Sequence, residues 1–165
     1  MLGGMPVAVA AGLTLPKWRE ASHIISPLPT DRIVLVDVRN LDLAEEQLIR
    51  STDTAIASIA PGFTGDIPLK DALDTLLEKV DLIYFHIDSD ILDEAYTPNH
   101  CTKEPNGPDM GQVKSAIEIV MATGKVSAFA VVSVSGEGEG AEIMVNSGEE
   151  LIRSGLAAWK MNGMA

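Results

Sequence analysis

Four short apolar runs, rich in β-branched and aliphatic residues, alternate along this chain with segments of helical periodicity, and that alternation most restricts its fold. The runs are Ile33–Val38, Thr54–Ile59, Leu82–Ile87 and Val126–Val134. Between them, Leu69, Ala72, Leu73, Leu76, Leu77 and Val80 form one apolar stripe at helical spacing, which predicts a helix over Leu69–Val80. Asp42 followed by Glu45 is a capping-box pair and predicts a helix over Leu43–Arg50. Met110–Thr123 reads as a helix stopped by Gly124, Glu149–Met161 as a closing helix, and Pro6–Leu13 as a short helix with proline in its first turn. The stretch from Thr14 to Arg32 reads as irregular, and Asp90–Pro108 as a long loop. Strands and helices in this order predict an α/β domain, three-layer αβα, around a mainly parallel sheet.

Composition supports that reading. Only 4% of the 165 residues are aromatic against 46% hydrophobic overall, so the core is aliphatic, as in a sheet covered on both faces. This length accommodates a single domain, taken as 1–165. The formal charge of −12 disfavours nucleic acid and anionic membranes and suits a cation. Cys101 is the only cysteine, which excludes an internal disulfide, and no apolar run is long enough to span a bilayer; a cytoplasmic location is expected.

In a parallel α/β sheet, ligands bind beyond the carboxyl ends of the strands. That rule puts Asp37 and Arg39, Asp88 and Asp90, and Ser133 and Ser135 on one rim. Alternate side chains of a strand share a face, so His86, Asp88 and Asp90 point the same way if the strand continues that far. Two neighbouring carboxylates repel unless a cation lies between them, and an added imidazole favours Mn²⁺ or another transition metal over Mg²⁺. His86 and His100 are therefore candidates to join Asp88 and Asp90 in a local metal site. Cys101 lacks an activating setting and reads as a passive thiol. Gly136–Gly140 carries two glutamates and no lysine, unlike a phosphate loop.

The block Asp88-Ser-Asp90-Ile-Leu-Asp93-Glu-Ala-Tyr-Thr-Pro98, with Cys101-Thr-Lys-Glu-Pro-Asn-Gly107 after it, resembles the ureohydrolase (arginase, agmatinase, formiminoglutamase) signature. In that family a strand ends in D-x-D-x-L-D-P and runs into an A-P-G-T-G-T-x-E-P-G-G loop. Arg39-Asn-Leu-Asp42-Leu-Ala-Glu45 resembles the family's R-D/S-x-D-P-x-E segment, and Gly3-Gly4-Met5-Pro6 its H-G-M-P turn. The resemblance implies an arginase-like fold and hydrolysis of a linear C–N bond in a cationic amidine or guanidine. It implies Asp88 and Asp90 as ligands of Mn²⁺, Asp42 and Glu45 as substrate-side carboxylates, and Asp93 as structural. The match is to the C-terminal portion of such proteins. The family's other ligands, a histidine and a D-A-H-x-D motif, precede the turn at which this chain begins. The histidine of that turn aligns with Gly3, a glutamate that pairs with the guanidinium aligns with Ser133, and the proline after the third aspartate aligns with Glu94. The resemblance places the D-A-H-x-D strand between those at Ile33–Val38 and Leu82–Ile87, so a gap is expected there, and with it a homo-oligomer. A non-enzymatic assembly or binding module, and a small hydrolase with its own His86/Asp88/Asp90 site, are the alternatives.

Overall fold

The structure, a computed structural model, describes residues 5–162; Gly3, Gly4 and the tail with Met164 lie outside them. Its elements run α1 Pro6–Ala10, α2 Pro16–Ala21, β1 Val34–Val36, α3 Leu43–Arg50, β2 Ala55–Ser58, β3 Ile67–Pro68, α4 Leu69–Leu77, β4 Ile83–Asp88, α5 Met110–Met121, β5 Val126–Val132 and α6 Ala141–Asn162. A 3₁₀ turn, Thr30–Arg32, precedes β1, and a second, Ser89–Ile91, follows β4. Every strand pairing is parallel. The fold is α/β, as the alternation of patterns predicts.

Local signals act where they occur. Asp42 accepts from the Glu45 amide at 2.9 Å, and the Glu45 carboxylate accepts from the Asp42 amide at 3.3 Å, so α3 starts on the residue expected. Asp109 and Gln112 form a second reciprocal cap at the start of α5. Leu69, Ala72, Leu73 and Leu76 bury the inner face of α4, which lies against β1, β2 and β3.

Departures from expectation include β3, whose two residues Ile67–Pro68 are too short an apolar run to read, and three further elements. Thr14–Arg32 contains α2, because Pro16 supplies a preset first-turn φ after Leu15 turns the chain with φ +43°. β1 stops at Val36, because Asp37 takes φ +50° and leaves the pleat. The last helix begins at Ala141, eight residues before the predicted start, and runs through Gly148 and Gly155. Those glycines cost helix propensity but admit neighbours: a Cβ at Gly148 would lie 2.6 Å from a Val134 methyl, and one at Gly155 2.3 Å from the Phe129 ring. Here packing overrides propensity.

The strands form two sheets, β1–β2–β3 and β4–β5, with no pairing between them among the described residues. The strands expected on either side of a gap, β1 and β4, thus lie in different sheets. One apolar cluster nevertheless runs beneath both sheets, from Ala57 and Leu73 to Ile87, Ile117 and Leu151. On β4, Ile83 and Ile87 face that cluster, while Tyr84 and His86 on the opposite face are exposed.

Candidate metal centre

β4 carries the first acid of the site. Strand alternation ends at Asp88, and the 3₁₀ turn Ser89–Ile91 redirects the backbone, so Asp90 does not simply follow the strand's even-numbered face. Ser89 is buried and its hydroxyl donates to the Ser133 carbonyl at 3.0 Å, which ties the carboxyl ends of β4 and β5 together. Ser133 takes φ +63° and is exposed.

The following loop is long in sequence but tightly pinned. Leu92, Thr97 and Pro108 are fully buried. Asp93 organises the loop from within: its carboxylate accepts from the Ala95 amide at 3.1 Å and the Gly107 amide at 3.2 Å, and its own amide donates to the Pro108 carbonyl at 3.0 Å. These bonds fit a structural Asp93. From the far side, Ser147 of α6 donates to the Tyr96 carbonyl, and Asn99 donates to the Glu137 carbonyl.

This folding back brings His100 onto the two aspartates. Its Nε2 lies 3.6 Å from Asp88 Oδ1 and its Nδ1 3.6 Å from Asp90 Oδ2, with the imidazole only 7% exposed. Thr102 donates its hydroxyl to Asp90 Oδ2 at 2.9 Å and its amide to His100 Nδ1 at 3.1 Å. Asp88, Asp90 and His100 each present a donor atom within 4.8 Å of the others. Among the described residues no other His, Cys, Asp or Glu joins them. His86 stays outside, exposed, with Nδ1 3.0 Å from the Tyr84 hydroxyl.

The electrostatics suit a cation. Burial pushes the Asp90 carboxyl above its ordinary 3.8, and Asp88 adds repulsion; the Thr102 hydroxyl and His100 oppose the shift. Asp88 Oδ1 is buried with no hydrogen-bond partner. An orphaned carboxylate oxygen facing a second acid and an imidazole suits a divalent ion, which would supply the missing partner. Three donors fit one such ion.

From the other sheet, the end of β1 reaches this loop. Arg39 donates from Nη2 to the Asp90 carbonyl at 2.6 Å, and Asn40 donates to the Glu104 carboxylate at 2.6 Å. Asp37 lies behind, buried; its Oδ1 accepts from the Thr64 amide at 3.0 Å and its Oδ2 lies 3.7 Å from Arg39 Nη1. Asp42 and Glu45 follow directly on this segment, exposed and engaged in capping α3. The rim rule thus locates Asp37, Arg39, Asp88, Asp90 and Ser133 at strand ends. It gives no sign that Arg39, Asn40, Thr102 and Glu104 bind one another's segments, since those contacts join loops far apart in sequence.

A family model described as "Arginase family" matches residues 3–157. No curated protein matches the chain. Among solved structures, the chain is similar to arginase from Bacillus subtilis subsp. subtilis str. 168, at 21% identity and a TM-score of 0.79, over 93% of this chain and 53% of that one. It is similar to formimidoylglutamase from the same organism, at 16% and 0.73, over 92% and 47%. It is also similar to agmatine ureohydrolase of Thermoplasma volcanium, at 20% and 0.59, over 87% and 48%. At these identities the likeness is one of fold, and the chain spans about half the length of each of these relatives. The family model, in contrast, takes in nearly the whole sequence: the chain belongs to the arginase family.

Proposed function

We propose that this chain acts in metal-dependent hydrolysis of a linear C–N bond in a small cationic amidine or guanidine, with Asp88 and Asp90 holding Mn²⁺. The observation that carries the reading is the orphaned, buried Oδ1 of Asp88 beside Asp90 at the carboxyl end of β4. Family membership and the names of the structural relatives, arginase, formimidoylglutamase and agmatine ureohydrolase, support the reaction class. When bound, Mn²⁺ lowers the pKa of water and offsets negative charge in the transition state.

The chain's own residues do the rest. Thr102 fixes the rotamer of Asp90, and Arg39 holds the Asp90 carbonyl, so the second ligand is set from both side chain and backbone. Asp42 and Glu45, on the segment just after Arg39, each cap α3 with one carboxylate oxygen and keep the other for the cationic end of a substrate. The net charge of −12 concentrates cations near the rim. Ser133 offers a hydroxyl to the substrate and no charge-assisted pairing with a guanidinium, which favours a substrate whose amidine end is held weakly.

A second feature bears on how the chain works. Among the described residues β1 and β4 each have an edge with no strand paired to it, and Tyr84 on the outer face of β4 is 63% exposed. Parallel strands are ordinarily buried on both faces, and open edges recruit further chains. We propose that the active form is a homo-oligomer, working in the cytoplasm; an assembly module that does not itself turn over substrate shares these features. Among the described residues no helix is long and apolar enough to cross a membrane.

Asp88→Asn tests the reading. It should lower Mn²⁺ affinity at least ~100-fold, measured by equilibrium dialysis and elemental analysis. Product release from a panel of amidines and guanidines should fall with it. Unchanged Mn²⁺ content in the variant would sink the metal role of Asp88.

A further inference from the structure

We infer that His100 is itself a metal ligand, and that Asp88, Asp90 and His100 form a one-ion site closed by this single chain. The inference rests on the proposed reading of Asp88 and Asp90 as ligands and extends it to a residue that the family resemblance does not supply.

The first argument is burial. The His100 side chain is 7% exposed although it stands in a polar loop, and among the described residues its Nε2 makes no hydrogen bond. That nitrogen faces Asp88 Oδ1, which is buried and also without a partner. At 3.6 Å the two are too far apart to satisfy each other by hydrogen bonding. A buried carboxylate oxygen left in this state is costly, and native structures pair nearly all such atoms. A cation between them partners the carboxylate oxygen and, once the imidazole proton has left Nε2, that nitrogen as well.

The second argument is spacing. Donors bound to one ion at ~2.1 Å lie roughly 3–4 Å apart. With one donor atom taken from each side chain, Asp88, Asp90 and His100 lie within 4.8 Å of one another, and Nε2 stands 3.6 Å from Asp88 Oδ1. The third is the chemistry of the set. Two carboxylates with one imidazole favour Mn²⁺ or Zn²⁺ over Mg²⁺ and Ca²⁺, which prefer oxygen alone. His86 offers no rival position, because it is exposed and its Nδ1 is engaged by the Tyr84 hydroxyl.

A consequence follows for the loop. The Thr102 amide donates to Nδ1, so the imidazole proton sits on Nε2 in the metal-free chain. Coordination through Nε2 moves that proton to Nδ1, and coordination through Nδ1 takes the acceptor itself. Either way the Thr102 amide loses its present partner, and it reports metal binding directly.

The experiment is titration of the full chain with ZnCl₂ and, separately, MnCl₂. It compares wild type, Asp88→Asn, His100→Ala and His100→Gln, with folding checked by circular dichroism. Stoichiometry comes from equilibrium dialysis, and the Thr102 amide is followed by NMR during Zn²⁺ addition. One ion per chain, ~10–100-fold weaker binding in both His100 variants, and a shifted Thr102 resonance in wild type are expected. If His100→Ala fails to fold, the Gln variant and the Thr102 signal decide. Wild-type affinity in the His100 variants, with loss in Asp88→Asn, would overturn the role of His100 and leave the hydrolase reading standing. No ion in wild type would remove both readings, and two ions per chain would overturn the one-ion site.

Discussion

Asp37 shows how a single residue joins the site to the fold. Its buried carboxylate accepts from Thr64 and faces Arg39, whose other nitrogen holds the Asp90 carbonyl. Burial pushes the Asp37 carboxyl above the ordinary 3.8, outweighing the lowering by the Thr64 bond and by Arg39. Because the folded value is the higher one, the protonated side chain favours folding. That contribution is full below 3.8 and is lost as pH rises through the raised value. Asp37→Asn cannot ionise, so its stability relative to wild type should rise with pH across that window. Urea unfolding of both proteins at several pH values measures the difference, and a flat difference curve would count against the assignment. Gly107 is tied to the same pair, since a Cβ there would lie 1.9 Å from Arg39 Nη1. Gly107→Ala should therefore displace Arg39, releasing the Asp90 carbonyl and weakening Mn²⁺ binding ~10-fold. Binding equal to wild type would show that Arg39 does not position the metal loop.

At the level of elements, the positions that local rules miss are those where another element comes close. Gly65 takes φ +153° and leads into β3; a Cβ there would lie 2.1 Å from the Ser58 amide nitrogen of β2. The obstacle is backbone, which cannot move aside. Gly65→Ala should cost about 3 kcal/mol and unpair β3 from β2. Chemical denaturation reads the loss, and a cost below ~1 kcal/mol would show that the β2–β3 approach is looser than described. The glycines of α6 illustrate the same logic, being tolerated in a helix because Val134 and Phe129 fill the space a side chain would take. The α3 and α4 helices, in contrast, were legible from a capping pair and an apolar stripe alone, because both parts of each signal lie within a few residues of one another.

For the whole molecule, the decisive feature is the division into two parallel sheets over one apolar cluster. The edges of β1 and β4 that no strand pairs among the described residues, and the exposed face of Tyr84, predict association. Light scattering at micromolar concentration should give a mass above that of one chain, and Tyr84→Lys should lower it without loss of helix or strand signal. A monomeric wild type would end the oligomer proposal. The sequence by itself determined the α/β class, the helices α3, α4 and α5 with the Asp42–Glu45 cap, and the placement of Asp88 and Asp90 at a strand's carboxyl end. Each of these depends on side-chain periodicity or on neighbours within one turn, and such short-range interactions are written consecutively along the chain. The tertiary structure decided that His100 rather than His86 meets the aspartates and that Arg39 bridges to the Asp90 carbonyl. Those outcomes depend on how a long loop folds back and where its backbone donors are satisfied, contacts between segments that no local pattern encodes.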